Sequence, residues 1–318
     1  MKNKVYGVLG IKSIMANWNA DFSGHPKSIS TGEVFGSDKA LKYPMKKMWE
    51  NQNEKVLYVK SYKIDVDKKK NESTLRPKSL KERYEELFEV ENLKNEKQQD
   101  VILRNLFNAI DVKNFGATFA EEGSNISITG AVQIGQGFNK YEDTTTEEQQ
   151  ILSPFRSDNK EQKGKGEEAK SSTLGSKIVS SEAHYVYPFA ITPFVYNEYV
   201  GLGVTEGYTE EDYEKFKAAS LVAATSFNTN SKLGCENELA VFIKVEKSTY
   251  LPDLAQFVTF VKGYEGEKNT LNLEFSELLN EIQEKIVNIE VYFNPYTTNL
   301  EGKIEGAKYY NIFTLKEV

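Results

Sequence analysis

Residues 209–246, TEEDYEKFKAASLVAATSFNTNSKLGCENELAVFIKVE, pass from a helix through a polar loop into a strand, and that succession decides the fold. Thr209 with Asp212 makes a capping-box-like start. Tyr213, Phe216, Ser220, Ala223 and Phe227 then fall on one helical face. From residue 238 the period changes to two: Leu239, Val241, Ile243 and Val245 point inward, with Lys244 and Glu246 outward. The intervening SFNTNSKLG (226–234) has loop composition.

Upstream, HYVYPFAITPFVY (184–196) reads as a strand, which completes a strand–helix–strand unit. The N-terminal part repeats that order. VYGVLGIKSIM (5–15) is a strand, a loop rich in Asn, Gly and Ser follows, GSDKALKYPMKKMW (36–49) is a helix, and KVLYVKSYKI (55–64) is a second strand. Ser37 suits the N-cap; Pro44 either kinks that helix or is its first residue. Two such units predict an α+β chain of split βαβ, ferredoxin-like type, the arrangement that RNA-recognition motifs also use.

Insertions interrupt this core. After the charged link DVDKKKNESTLRPKS (65–79), Ser79 with Glu82 opens a helix carrying Leu80, Tyr84, Leu87 and Phe88, and a second short helix is predicted over 100–110. ISITGAVQIGQGF (126–138) alternates Ile126, Ile128, Val132 and Ile134 with smaller or polar residues, as one half-buried strand would. Residues 139–183 are strongly polar and predict two strand-like arms joined by a mobile loop at 158–171. One amphipathic helix near 276–288 and two strand-like runs are expected in 248–318. The predicted division is thus a core of 1–64, 123–138 and 184–247, a helical insertion at 65–122, protruding arms at 139–183, and an extension at 248–318 packed on the core.

The chain has 318 residues and a formal charge of −7, yet Lys39, Lys42, Lys46 and Lys47 crowd one helix. At 100° per residue Lys39, Lys42 and Lys46 lie within about 60° of one another, with Leu41, Met45 and Met48 opposite. A face of this kind is either solvated or reserved for an anionic partner. Because the overall field repels polyanions, nucleic-acid binding would have to come from a local patch. One cysteine, Cys235, excludes an internal disulfide and fits a reducing cytoplasm. No stretch reaches the ~18 apolar residues of a membrane span. His25 and His184 are too far apart for a metal motif and lack evident acid–base partners, so no metal or cofactor is implied. The glycines of GAVQIGQG lack the Lys-Ser/Thr of a phosphate loop and read as strand glycines. Asp21 is the one carboxylate to test as a nuclease residue. For binding, Asn17, Asn19, Ser37, Asn228, Asn230 and Ser231 offer hydrogen bonds to phosphate and ribose oxygens, and Lys39, Lys42, Lys46 and Lys232 offer charge.

ANWN (16–19), DKALKYPMKKMW (38–49), NFGATFA (114–120) with ISITGAVQIGQGF, TLGSKIVSSEAHYVYPFA (173–190) and SFNTNSKLGCENELAVFIKVE (226–246) occur in this order. Together they resemble the repeated backbone subunit of type I CRISPR Cascade complexes, the Cas-seven superfamily, and most closely its type I-B (Csh) branch. The resemblance covers residues 4–247. It implies a right-hand shape with an RNA-recognition palm, helical fingers and a β-hairpin thumb. It also implies a cytoplasmic, non-catalytic subunit that lines up with copies of itself along CRISPR RNA. Such a subunit presents the guide to a target DNA strand and meets the 5′-handle-capping, large and small subunits. Loop 16–19 and the helix with Lys42 and Lys46 then resemble the guide-phosphate grip. Phe155, Arg156 and Lys177 fall on the thumb. An arginine expected in loop 226–232 is replaced by Asn230 or shifted to Lys232. Related type III backbones cut RNA with an aspartate in the loop after the first strand, which makes a metal-dependent ribonuclease using Asp21 the alternative.

Overall fold

The computed structural model describes residues 1–67, 71–152 and 174–318. The chain begins with a long strand β1 (Lys4–Ala16), a short β2 (Phe35–Gly36) and helix α1 (Asp38–Asn51). Ser37 caps α1, its Oγ accepting from the Ala40 N–H at 3.3 Å. Pro44 sits inside the helix and is buried with Leu41, Met45 and Trp49. The helix therefore starts at its serine cap and not at the proline.

The strand expected over 55–64 does not form as such. Only its end enters β3 (Tyr62–Asp67), which pairs with β4 (Glu72–Pro77) in a separate two-stranded sheet. Val56 and Leu57 are buried, but the Leu57 and Tyr58 N–H groups donate to the Asp111 carboxylate at 2.9 and 2.8 Å. A side chain from far along the chain satisfies the backbone that a neighbouring strand would otherwise have paired.

Helix α2 (Leu80–Leu87) opens with the predicted Ser79–Glu82 capping box, and α3 (Gln99–Phe107) matches the second predicted helix. An unexpected α4 (Ile110–Phe115) leads into β5 (Gly116–Glu121) and β6 (Ser124–Thr129), a hairpin of its own. The strand predicted over 126–138 is thus divided among β6, β7 (Val132–Ile134) and β8 (Gly137–Asn139). Gly130 marks the first break: a Cβ there would lie 2.2 Å from the Phe115 carbonyl carbon. Period-two alternation persists across the break because it reports facing, not partner.

β9 (Thr146–Leu152) and β10 (Leu174–Ile191) are antiparallel. Short α5 (Asn197–Gly201) precedes α6 (Glu210–Ser226), which carries the predicted Thr209–Asp212 capping box and leads to β11 (Cys235–Val245). The tail adds β12 (Val258–Val261), β13 (Asn269–Leu273), α7 (Ser276–Asn280), β14 (Ile286–Phe293), β15 (Thr298–Glu301) and β16 (Lys308–Asn311). The helix expected over 276–288 is only that short α7, since the chain extends again at Ile286.

The main sheet runs β16-β14-β11-β1-β10-β8-β2, with β7 and β9 also on β10. Both faces are covered. Leu9, Tyr187, Phe189 and Phe242 pack with Leu41, Trp49 and Phe216 on the helical side. Val8, Leu239, Val241 and Ile243 pack with Leu254, Leu271 and Phe275 from the tail. β11 was expected to bury one face only; the tail supplies the second cover, and its β14 pairs with β11 along Leu239–Val245.

Candidate nucleic-acid interface

Trp18 anchors the loop that leaves β1. Its indole is buried and donates to the Tyr187 hydroxyl at 2.5 Å. Gly36 lies against both rings, and a Cβ there would come within 1.8 Å of the Tyr187 oxygen, so only glycine lets the start of α1 approach. Asn17 is 3% exposed; its Nδ2 donates to the Gly24 and Ile178 carbonyls at 2.9 and 3.2 Å. Those donors, expected to face phosphate, instead hold the turn at Gly24 and tie the loop to β10 at Ile178. The Asn17 Oδ1 is buried and meets no partner among the described residues. Asn19 Oδ1 accepts from the Ser37 N–H at 2.8 Å, which fixes the N-terminus of α1 on the same loop.

The lysines of α1 differ from one another. Lys39 is exposed, and its ammonium has no partner among the described residues. Lys42 pairs with Asp38 at 2.8 Å, one turn earlier. Lys46 donates to the Tyr58 carbonyl at 3.3 Å and lies 3.5 Å from Asp111. Burial pulls the Lys46 ammonium below its ordinary value, against the attraction of Asp111. The uniform cationic face predicted by helical geometry is therefore a gradient, from a free Lys39 to a Lys46 built into the body.

Loop 226–234 packs onto loop 17–19. The exit of α6 is held by Asn237, whose Oδ1 accepts from Ala224 and Thr225 N–H groups and whose Nδ2 donates to the Ser220 carbonyl. The Asn17 N–H donates to the Ser231 carbonyl at 2.9 Å. Lys232 Nζ donates to the Asn17 carbonyl at 2.6 Å and also to that of Trp18, and burial lowers its pKa. Lys232 thus clamps the two loops; it is not a free cation. Asn228, Asn230 and Ser231 remain exposed. Tyr43 of α1 meets Phe227 edge-on at 5.5 Å, closing the group from the helix side.

Lys46 stands apart, held by the Tyr58 carbonyl and Asp111 two turns along α1; the other predicted residues among those described come together in one place, divided by role. Asn17, Asn19, Ser37 and Lys232 brace it, Lys42 pairs with Asp38 at its edge, and Lys39, Asn228, Asn230 and Ser231 face solvent. The foot of the β9–β10 arm adjoins it through the Asn17–Ile178 bond. Lys177 is half-buried on that arm, opposite Gln149. Phe155 and Arg156 lie outside the described residues, as does the loop at 158–171.

Asp21 closes its own turn. One oxygen accepts from the Ser23 N–H (2.8 Å), the Ser23 hydroxyl (2.7 Å) and the His25 N–H (3.0 Å), which hold its carboxyl below the usual range. Two groups escaped sequence reasoning. Asp111 is the buried acceptor described above. His184, which has no partner legible in sequence, lies buried between Glu238 (2.8 Å) and Glu182 (3.1 Å) and stacks on Phe260 at 3.8 Å. Burial would lower its pKa, but the two carboxylates outweigh it and raise it to about 9. Only the β1–β10–β11 register, which brings residues 184 and 238 together, could have revealed this.

Against known proteins, a family model described as "CRISPR-associated protein Cas7" matches residues 3–278. Among curated sequences none matches this chain. A chain of a solved structure titled "CRISPR RNA-guided surveillance complex, pre-nicking" superposes with a TM-score of 0.55 at 15% identity, covering 98% of this chain and 96% of that one. A second, titled "CRISPR RNA-guided surveillance complex", has a TM-score of 0.47 at 14% identity, covering 92% and 91%. The first likeness speaks for a shared fold, and the family match spans most of the sequence. The chain belongs to the CRISPR-associated Cas7 family.

Proposed function

We infer that this protein is a non-catalytic backbone subunit of a type I Cascade complex, of the I-B (Csh) branch. It binds CRISPR RNA independently of sequence, lines up with further copies along it, and leaves the bases free to pair with target DNA. The carrying observation is convergence: loop 17–19, the capped start of α1 and loop 228–232 meet at the foot of the β9–β10 arm in a chain of the Cas7 family. Backbone amides, asparagines, a serine and one free lysine suit sugar and phosphate oxygens, which carry no sequence information. The order β11-β1-β10, with β7 and β8 beyond, supports an RNA-recognition-like palm. Residues 65–122 then serve as fingers, 139–183 as thumb, and the tail as a second cover for the palm. The 5′-handle-capping, large and small subunits are its proposed neighbours.

Avidity explains how a protein of charge −7 can grip a polyanion. Each copy contributes few contacts, and binding becomes strong when copies share one strand. The test is whether the purified protein carries RNA, seen as absorbance at 260 nm that ribonuclease abolishes. A nucleic-acid-free preparation that also fails to retard single-stranded RNA would overturn this reading.

A further inference from the structure

The turn that Asp21 closes presents Phe22 entirely to solvent, with a relative exposure of 113%. An apolar ring in a pliable loop folds back onto nearby apolar surface; this one is held away from it. Besides the three bonds to the Asp21 carboxylate, the Asp21 N–H donates to the His25 carbonyl (2.8 Å) and the Gly24 N–H to the Asp21 carbonyl (3.2 Å). Gly24 takes φ +90°, which favours glycine. The turn is moored at its base by the Ala20–Pro26 bridge, by Lys27 N–H to the Asn19 carbonyl, and by Asn17 Nδ2 to the Gly24 carbonyl. The residue that moors Phe22 is the one that ties loop 17–19 to the arm.

We propose that Phe22 is a stacking platform for an unpaired nucleobase of the single-stranded RNA held by the adjoining loops. This rests on the RNA-binding reading above and adds a base contact to it. A flat ring stacks on any base, because every base has a π-face, so the contact is compatible with a protein that reads no sequence. The ordering entropy is already met in the free protein, since the turn is closed by its own hydrogen bonds. A protein surface as occupant would call for several contiguous apolar side chains. The flanking side chains in the turn, Asp21, Ser23 and His25, are polar. Asp21 acts here as a positioning residue, organising the turn.

The test uses the full chain freed of nucleic acid. Trp18 and Trp49, the chain's two tryptophans, are each 1% exposed, so Phe22→Trp installs the one exposed indole among the described residues. The probe is a single-stranded RNA of mixed sequence, about 30 nucleotides long, beside the same RNA annealed to its complement. The expected result is quenching of the new indole by the single strand and not the duplex, with wild-type affinity kept. Phe22→Ala should weaken binding roughly 5- to 150-fold, the range measured for base–aromatic stacking, with unchanged circular dichroism. If the wild type binds the single strand, Phe22→Ala binds it within about twofold and the indole emission does not move, the platform is refuted and the backbone grip stands. Absence of wild-type binding refutes the parent reading as well. An indole shift that follows protein concentration without RNA places the ring against a second copy and refutes the nucleobase.

Discussion

Replacing Lys39 with alanine should flatten the salt dependence of RNA binding, whereas Lys46→Ala should leave it unchanged. Lys39 is exposed and its ammonium is unpaired among the described residues, so it is free to displace a counterion from phosphate. Lys46 already faces Asp111 and the Tyr58 carbonyl, with 16% of its side chain exposed. For single strands each phosphate contact contributes about 0.7 to the slope of log affinity against log salt. Between 50 and 200 mM KCl, a fourfold change, one lost contact therefore alters the affinity ratio about 2.6-fold. Fluorescence anisotropy with an end-labelled RNA short enough for one copy reads both slopes directly. Lys46→Ala should show itself elsewhere, by leaving Asp111 buried without its counter-charge. A slope that falls by about 0.7 for Lys46→Ala and not for Lys39→Ala would mean that α1 presents its other flank to the guide, and the gradient drawn along this helix would be wrong.

Asp111→Ala should remove about 3–5 kcal/mol of stability, because the buried Leu57 N–H, the partly buried Tyr58 N–H and an ammonium lose one fully buried acceptor; a urea midpoint shift worth under about 1 kcal/mol would contradict that role. His184 makes a signed prediction. Its pKa rises from 6.5 to about 9 on folding, so its contribution is complete below about pH 6.5 and fades as pH climbs through 9. The groups facing it are Glu182, Glu238, Tyr141 and Phe260, with Lys262 bonded to Glu182. At about 1.4 kcal/mol per unit the loss is on the order of 3 kcal/mol, and His184→Gln should flatten the stability profile over that interval. Identical profiles for the two proteins would refute it.

Features that depend on a few neighbouring residues were legible beforehand. The Ser37 cap and the capping boxes at Ser79 and Thr209 involve partners within one turn, and all formed as read. Features set by distant partners were not. Residues 55–61 have strand composition, yet their backbone is met by Asp111 from another element. The alternation over 126–138 holds across two sheets, because a period names a face and not a neighbour. The same limit governs the site. Loop 17–19, α1 and loop 226–232 could be placed together from strand–helix order. Which of their polar groups face solvent depends on cross-chain bonds such as Lys232 to the Asn17 carbonyl, which no local pattern encodes.

β10 pairs with β1 from Ser180 to Ile191 and with β9 from Leu174 to Ser180, as one unbroken strand. At about 3.3 Å per residue it is a beam some 60 Å long, clamped in the body for two-thirds of its length. A hinge needs a joint where backbone torsions can change cheaply, and the pairing hands over at Ser180 without leaving one. Force applied to the free third is therefore delivered into the sheet beneath it, and the direction in which the arm leaves the body is set when the chain folds.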